Sequence, residues 1–190
     1  MVTQTIVNKD IQMISEHLYD NSKELVKPFA ALQVAFFFPV MIIVGYLMAL
    51  LYVKLTYSPY VDSFGNMVYF SNAMSAEVAT SCFGGGFALI MGFALYGPAL
   101  AYLSVPEKVR GASFVISSLR NTCIKTVSIM VGINWVIAIL GAIVNTIFLC
   151  LAPAMILISI FVVQWVINSE ITRYGFSVVL NKLNNLARKF

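Results

Sequence analysis

Residues 126–169 read TVSIMVGINWVIAILGAIVNTIFLCLAPAMILISIFVVQWVINS, forty-four positions between Lys125 and Glu170 without one charged side chain. At 1.5 Å of rise per residue they would form a helix roughly 66 Å long, about twice the hydrocarbon thickness of a bilayer. The stretch therefore reads as two membrane spans joined by a turn too short to hold a charged loop. Two other uncharged stretches, 28–53 and 78–106, are each long enough for one span. The expected fold class is an all-α membrane protein with four transmembrane helices and amphipathic helices on the cytoplasmic side.

Composition agrees. The 190 residues are 60% hydrophobic and 11% charged, whereas about a quarter of the residues of a soluble domain are charged. Mean hydropathy is +0.88. Four spans use most of this length, which leaves no room for a soluble domain beside them. The polar first 27 residues show no short apolar core after a basic start. The first span is thus expected to act as an uncleaved insertion signal, and neither end carries a lipidation motif. Cys82, Cys123 and Cys150 have no metal-ligand spacing and read as small packing residues. No cofactor or metal site is expected.

Basic residues set the topology. The expected segments are a head (1–29), spans at 30–53, 78–103, 127–145 and 152–168, and connections at 54–77, 104–126 and 146–151, followed by a tail (169–190). Head, second connection and tail share eleven of the twelve Lys and Arg residues; only Lys54 falls elsewhere. The net charge of +4 therefore reflects membrane orientation rather than nucleic-acid affinity. Both termini are expected in the cytoplasm, with 54–77 and the tight turn facing outward.

Val7, Ile11, Ile14, Leu18 and Leu25 give the head one apolar helical face. It is expected to fold back onto its own protein rather than to bind a partner helix, and His17 is assigned no role. Ser104-Val-Pro-Glu107 matches a capping box. It opens an expected surface helix that continues through Val109, Ile116 and Cys123, with Lys108, Arg110, Arg120 and Lys125 near lipid headgroups. Phe176, Val179, Leu183 and Leu186 suggest another interfacial helix in the tail.

The outward connection is different. Asp62-Ser-Phe-Gly-Asn66 is turn chemistry between two strand-like pieces, so a small hairpin is expected. Five aromatics, Tyr57, Tyr60, Phe64, Tyr69 and Phe70, lie in this one loop. An aromatic belt at the headgroup level accounts for Tyr57 but less well for Phe64 beside the turn. This loop is the candidate recognition surface.

Within the spans, Gly84, Ala88 and Gly92, and again Gly97 and Ala101, recur every four residues. Such ridges permit close helix contact, here favoured within the chain over a homo-oligomer. Gly132, Ala138, Gly141 and Ala142 are read the same way, and Asn134 and Asn145 as polar links to neighbouring spans. Pro98 is expected to bend the second span. No expected span contains Asp, Glu, Lys, Arg or His, which argues against a proton- or ion-coupled pump. No catalytic motif is present, so a non-enzymatic role is expected.

The polar head from Met1-Val-Thr-Gln-Thr-Ile6 to Lys27-Pro28, set before a long span, together with the four-span layout, resembles the entry-exclusion inner-membrane protein of F-type conjugative plasmids. The resemblance implies a recipient-cell protein of the bacterial inner membrane that blocks redundant plasmid transfer by engaging the donor's mating-pair protein. It supplies no catalytic residues. Immunity proteins against pore-forming toxins share the four-span plan. The alternative from another class is a small oligomeric transporter or channel component.

Overall fold

Pro28 starts the first long helix, at a position where its missing N–H costs no hydrogen bond. This helix, α1 (Pro28–Thr56), ends where Tyr57 turns extended, two residues before Pro59. In the computed structural model, which describes residues 9, 10, 12, 13 and 27–173, the chain then forms strands β1 (Tyr60–Val61) and β2 (Met67–Val68) and a short α2 (Phe70–Ala73). Helix α3 (Ser75–Ser104) follows, continuous through Pro98. After it come α4 (Glu107–Ala112), α5 (Phe114–Ile143), a 3-10 helix (Thr146–Leu151) and α6 (Ala152–Arg173). The expected helical faces at Val7–Leu25 and Phe176–Leu186 lie outside the described residues.

Four helices are long and apolar enough to cross a membrane, and the protein is a four-span α-helical membrane protein. Its exterior bears this out: Phe37, Phe93, Phe161 and Trp165 all point away from the bundle, Trp165 with 71% of its surface exposed. Helices that are apolar on every side suit hydrocarbon rather than water.

The first two spans overrun the expected ones at both ends, the third begins thirteen residues early and stops two short at Ile143, and the last starts at Ala152 as expected and runs on to Arg173. The larger difference concerns 104–126. The expected Ser104–Glu107 capping box does not form: Ser104 is the last residue of α3 and its hydroxyl donates to the Leu100 carbonyl at 2.8 Å. Nor is 104–126 one surface helix. It breaks at Ser113, an extended residue whose Oγ accepts from the Ile116 N–H, and everything after it is continuous with the third span. Serine is a strong helix N-cap, and that preference overrides the amphipathic periodicity running across it.

The head reaches this break. Asp10 Oδ2 accepts from the Val115 N–H at 3.0 Å and from the Ser113 hydroxyl at 3.2 Å. A carboxylate there satisfies an orphan donor of α5 and complements its dipole. The head thus folds back on its own protein at Asp10.

Around the bundle, α1 packs on α3 and α5, and α6 packs on the same two helices. The third span is therefore diagonal to the second, and α4 with its break carries the chain across the end of the bundle.

Close seams hold these neighbours. A Cβ on Gly92 would sit 2.6 Å from the Phe36 ring, between α3 and α1. One on Gly84 would lie 3.2–3.3 Å from Ile156 and Ala152 of α6. Gly45 is overlaid by the Trp135 ring of α5, and Gly141 by Leu149 of the 3-10 helix. Ala88 is fully buried between Gly84 and Gly92, as the ridge predicts. The expected continuation through Gly97 and Ala101 does not hold: Gly97 is exposed with open space at its Cβ position. The inward stripe drifts instead to Leu95 and Ala99, since 3.6 residues per turn makes a strict four-residue step leave the interface. Gly132 is likewise exposed with nothing near it.

One polar knot lies in the apolar core. Asn134 has no exposed surface. Its amide donates to Ser159 Oγ of α6 at 2.9 Å and to the Met130 carbonyl at 2.8 Å, and it accepts from the Tyr46 hydroxyl of α1 at 3.3 Å. Ser159 in turn donates to the Met155 carbonyl. Asn145 does not join helices as expected: it is exposed and accepts from the Ile147 N–H, capping the 3-10 helix.

Two outcomes are expected from equilibrium unfolding in mild detergent. Gly92→Val forces a branched side chain into the Phe36 ring and should cost about 1–3 kcal/mol. Asn134→Ala should cost about 1 kcal/mol, the scale of interhelical hydrogen bonds in lipid, and Tyr46→Phe less, because Asn134 keeps Ser159.

Candidate functional site: an aromatic hairpin

Between Tyr57 and Phe70 the only carboxylate is Asp62, and no Lys, Arg or His is present. Asp62 is consumed by the turn: its Oδ1 accepts from the Phe64 N–H at 2.9 Å and the Asn66 N–H at 2.8 Å. The Gly65 N–H donates to the Asp62 carbonyl, and the Asp62 N–H to the Asn66 carbonyl. Gly65 has φ +82°, the left-handed conformation that glycine adopts without steric cost. A turn followed by a left-handed glycine is a common three-residue hairpin loop. The strands pair antiparallel, Tyr60 with Val68 and Val61 with Met67.

The base of the hairpin is pinned to the bundle. The Tyr57 hydroxyl donates to the Val68 carbonyl at 3.0 Å. Its ring meets Phe70 edge-on at 5.8 Å, and Phe70 packs against the core. Desolvation, and secondarily the neighbouring Tyr60, pushes the Tyr57 pKa upward, which keeps the hydroxyl a donor. Beside the hairpin, Thr146 donates to the Glu77 carboxylate in the first turn of α3. That contact ties the α3 start to the connection between α5 and α6.

The five aromatics therefore divide. Tyr57 and Phe70 are partly buried and structural. Tyr60 and Tyr69 are each 55% exposed, and Phe64 at the tip is 87% exposed. Val61 and Met67 add apolar surface on the hairpin. What is presented is a small, aromatic-tipped projection on a fixed base, its one carboxylate engaged in the turn. Sequence reading found its turn and its aromatics but not the Tyr57–Val68 bond, which depends on how the two strands meet.

Other features do less. A groove of about 360 Å³ between α1 and α5, with Gly45, Met48, Tyr52, Trp135 and Ile139 among its walls, is almost wholly apolar and belongs to the spans. The three cysteines are free thiols. Among the described residues no three His, Cys, Asp or Glu side chains come together. No protein-family model, curated protein or solved structure matches the chain.

Gly65→Val should open this hairpin while sparing the bundle. Its Cβ would meet nothing within 4 Å, so the cost is conformational, about 1–2 kcal/mol for a left-handed L-residue. Faster amide exchange over residues 60–68 with unchanged unfolding of the spans is the expected readout.

Proposed function

We propose that this protein is a non-enzymatic recognition protein of the bacterial inner membrane, with both termini in the cytoplasm and the hairpin facing outward. Its role is to block redundant conjugative transfer into the cell that carries it, by engaging a mating-pair protein of the donor. The observation that carries the reading is Phe64, held almost fully exposed at the tip of a turn whose polar groups bond one another. Aromatic anchors on rigid mounts are the usual hot spots of protein recognition, because little conformational freedom is lost on binding. The basic residues at the other end of the bundle support the orientation.

The resemblance of the head and the span layout to entry-exclusion proteins supplies the conjugative setting. The polar atoms at the centre of the bundle bond one another, which favours packing over a conducting path.

A mating assay tests this reading. Recipients making the protein should take up an F-type plasmid at least ten-fold less often than recipients without it. Phe64→Ser, with Tyr60→Ser and Tyr69→Ser, should restore uptake at equal protein levels. Photo-crosslinking from position 64 should capture a donor mating-pair protein. Unaltered uptake, or exclusion that survives the triple substitution, would overturn the proposal.

A further inference from the structure

At the end of the bundle away from the hairpin, Arg110 has no counter-ion among the described residues. Its guanidinium carbon lies 4.9 Å from the ring centre of Tyr102, which is in the last turn of α3. The Nε atom is buried and makes no hydrogen bond. Glu107, one turn earlier on α4, is exposed and does not pair with it. Among the described residues Arg110 has no ion pair and no side-chain hydrogen bond.

A partly buried cation lacking an anion is costly unless something outside the chain supplies one. The Tyr102 ring offsets part of that cost and fixes the orientation of the guanidinium, but a ring face leaves the terminal N–H donors unpaired. Those donors form a planar fork that suits the oxygens of a phosphate. They also lie where α3 ends, at the level of lipid headgroups, with exposed Arg120 and Lys125 along the start of α5.

We infer that Arg110 and Tyr102 form a seat for the phosphate of an anionic phospholipid headgroup. Tyr102 positions the guanidinium and Arg110 binds the phosphate. Free phosphate presents the same oxygens but has no acyl chain to hold it beside the span.

Native mass spectrometry of the full chain, titrated separately with phosphatidylglycerol, phosphatidylcholine and inorganic phosphate, tests the assignment. The wild-type protein should retain phosphatidylglycerol in preference to phosphatidylcholine. Arg110→Gln should lower its occupancy about five-fold, the scale of one basic residue at an anionic surface, with phosphatidylcholine unchanged. Tyr102→Phe keeps the ring and should bind as wild type, whereas Tyr102→Leu should bind less. Should Arg110→Gln fail to fold, Arg110→Lys decides, since it keeps the charge without the fork and should fall between the two. Wild-type phosphatidylglycerol occupancy in both Arg110 variants would overturn the inference, as would equal loss of both lipids. Inorganic phosphate binding as tightly as phosphatidylglycerol would overturn the lipid assignment.

Discussion

Asn134 joins three of the four spans through one side chain. In lipid there is no hydrophobic drive to bring helices together, since the tails are as apolar as leucine. What can select one arrangement over its neighbours is directional bonding and close contact. Asn134 supplies the first, reaching Tyr46 on α1 and Ser159 on α6 while returning a bond to its own backbone. Rotating α5 by one residue would strand the Tyr46 hydroxyl and the Asn134 amide in an apolar core, while Ser159 would keep its bond to the Met155 carbonyl. The fourth span, α3, has no share in that knot. Within the bundle it is placed by the shape contacts of Gly92 with Phe36 and of Gly84 with α6, and at its start by the Thr146–Glu77 hydrogen bond.

This division explains what could be read in the sequence. Span number, the position of the short connection at 146–151 and the hairpin turn follow from local composition, and each is found where expected. Asn134 stood out because an amide in an apolar helix demands partners. Tyr46 and Ser159 did not, since tyrosine and serine are ordinary in spans and only the packing shows which of them face inward. Gly45 passed unnoticed for the same reason: it stands alone in α1, and its necessity lies in the Trp135 ring above it. Gly97 misled in the opposite direction, because a four-residue spacing was extended beyond the length over which a helix keeps it on one face.

The break at Ser113 was legible in principle. A serine with a strong N-cap preference interrupts an amphipathic pattern, and the cap prevails over the periodicity. The consequence is topological. Because the second and third spans are diagonal, the connection must cross the bundle end, and one straight helix from 104 to 126 would carry the third span away from α1 and α6. The break lets α4 lie across the end and α5 turn down into the bundle. Asp10 then accepts from the Val115 N–H in the first turn of α5. The head thereby bonds the joint at which the chain changes direction, and a change in the head's position would be felt first at the entrance of the helix that carries Asn134.

The hairpin is fixed by a different economy. Its polar groups bond within the turn, and its base rests on Tyr57 and Phe70, which are anchored on α1 and the core. Little of its order depends on the alignment of the spans deeper down. A projection built this way can vary at Tyr60, Phe64 and Tyr69 without disturbing the bundle, because the side chains of all three are exposed. The bundle, conversely, can be tuned at its glycine seams without reshaping the tip. The exposed aromatics of the hairpin and the packing residues of the bundle are therefore separable sets.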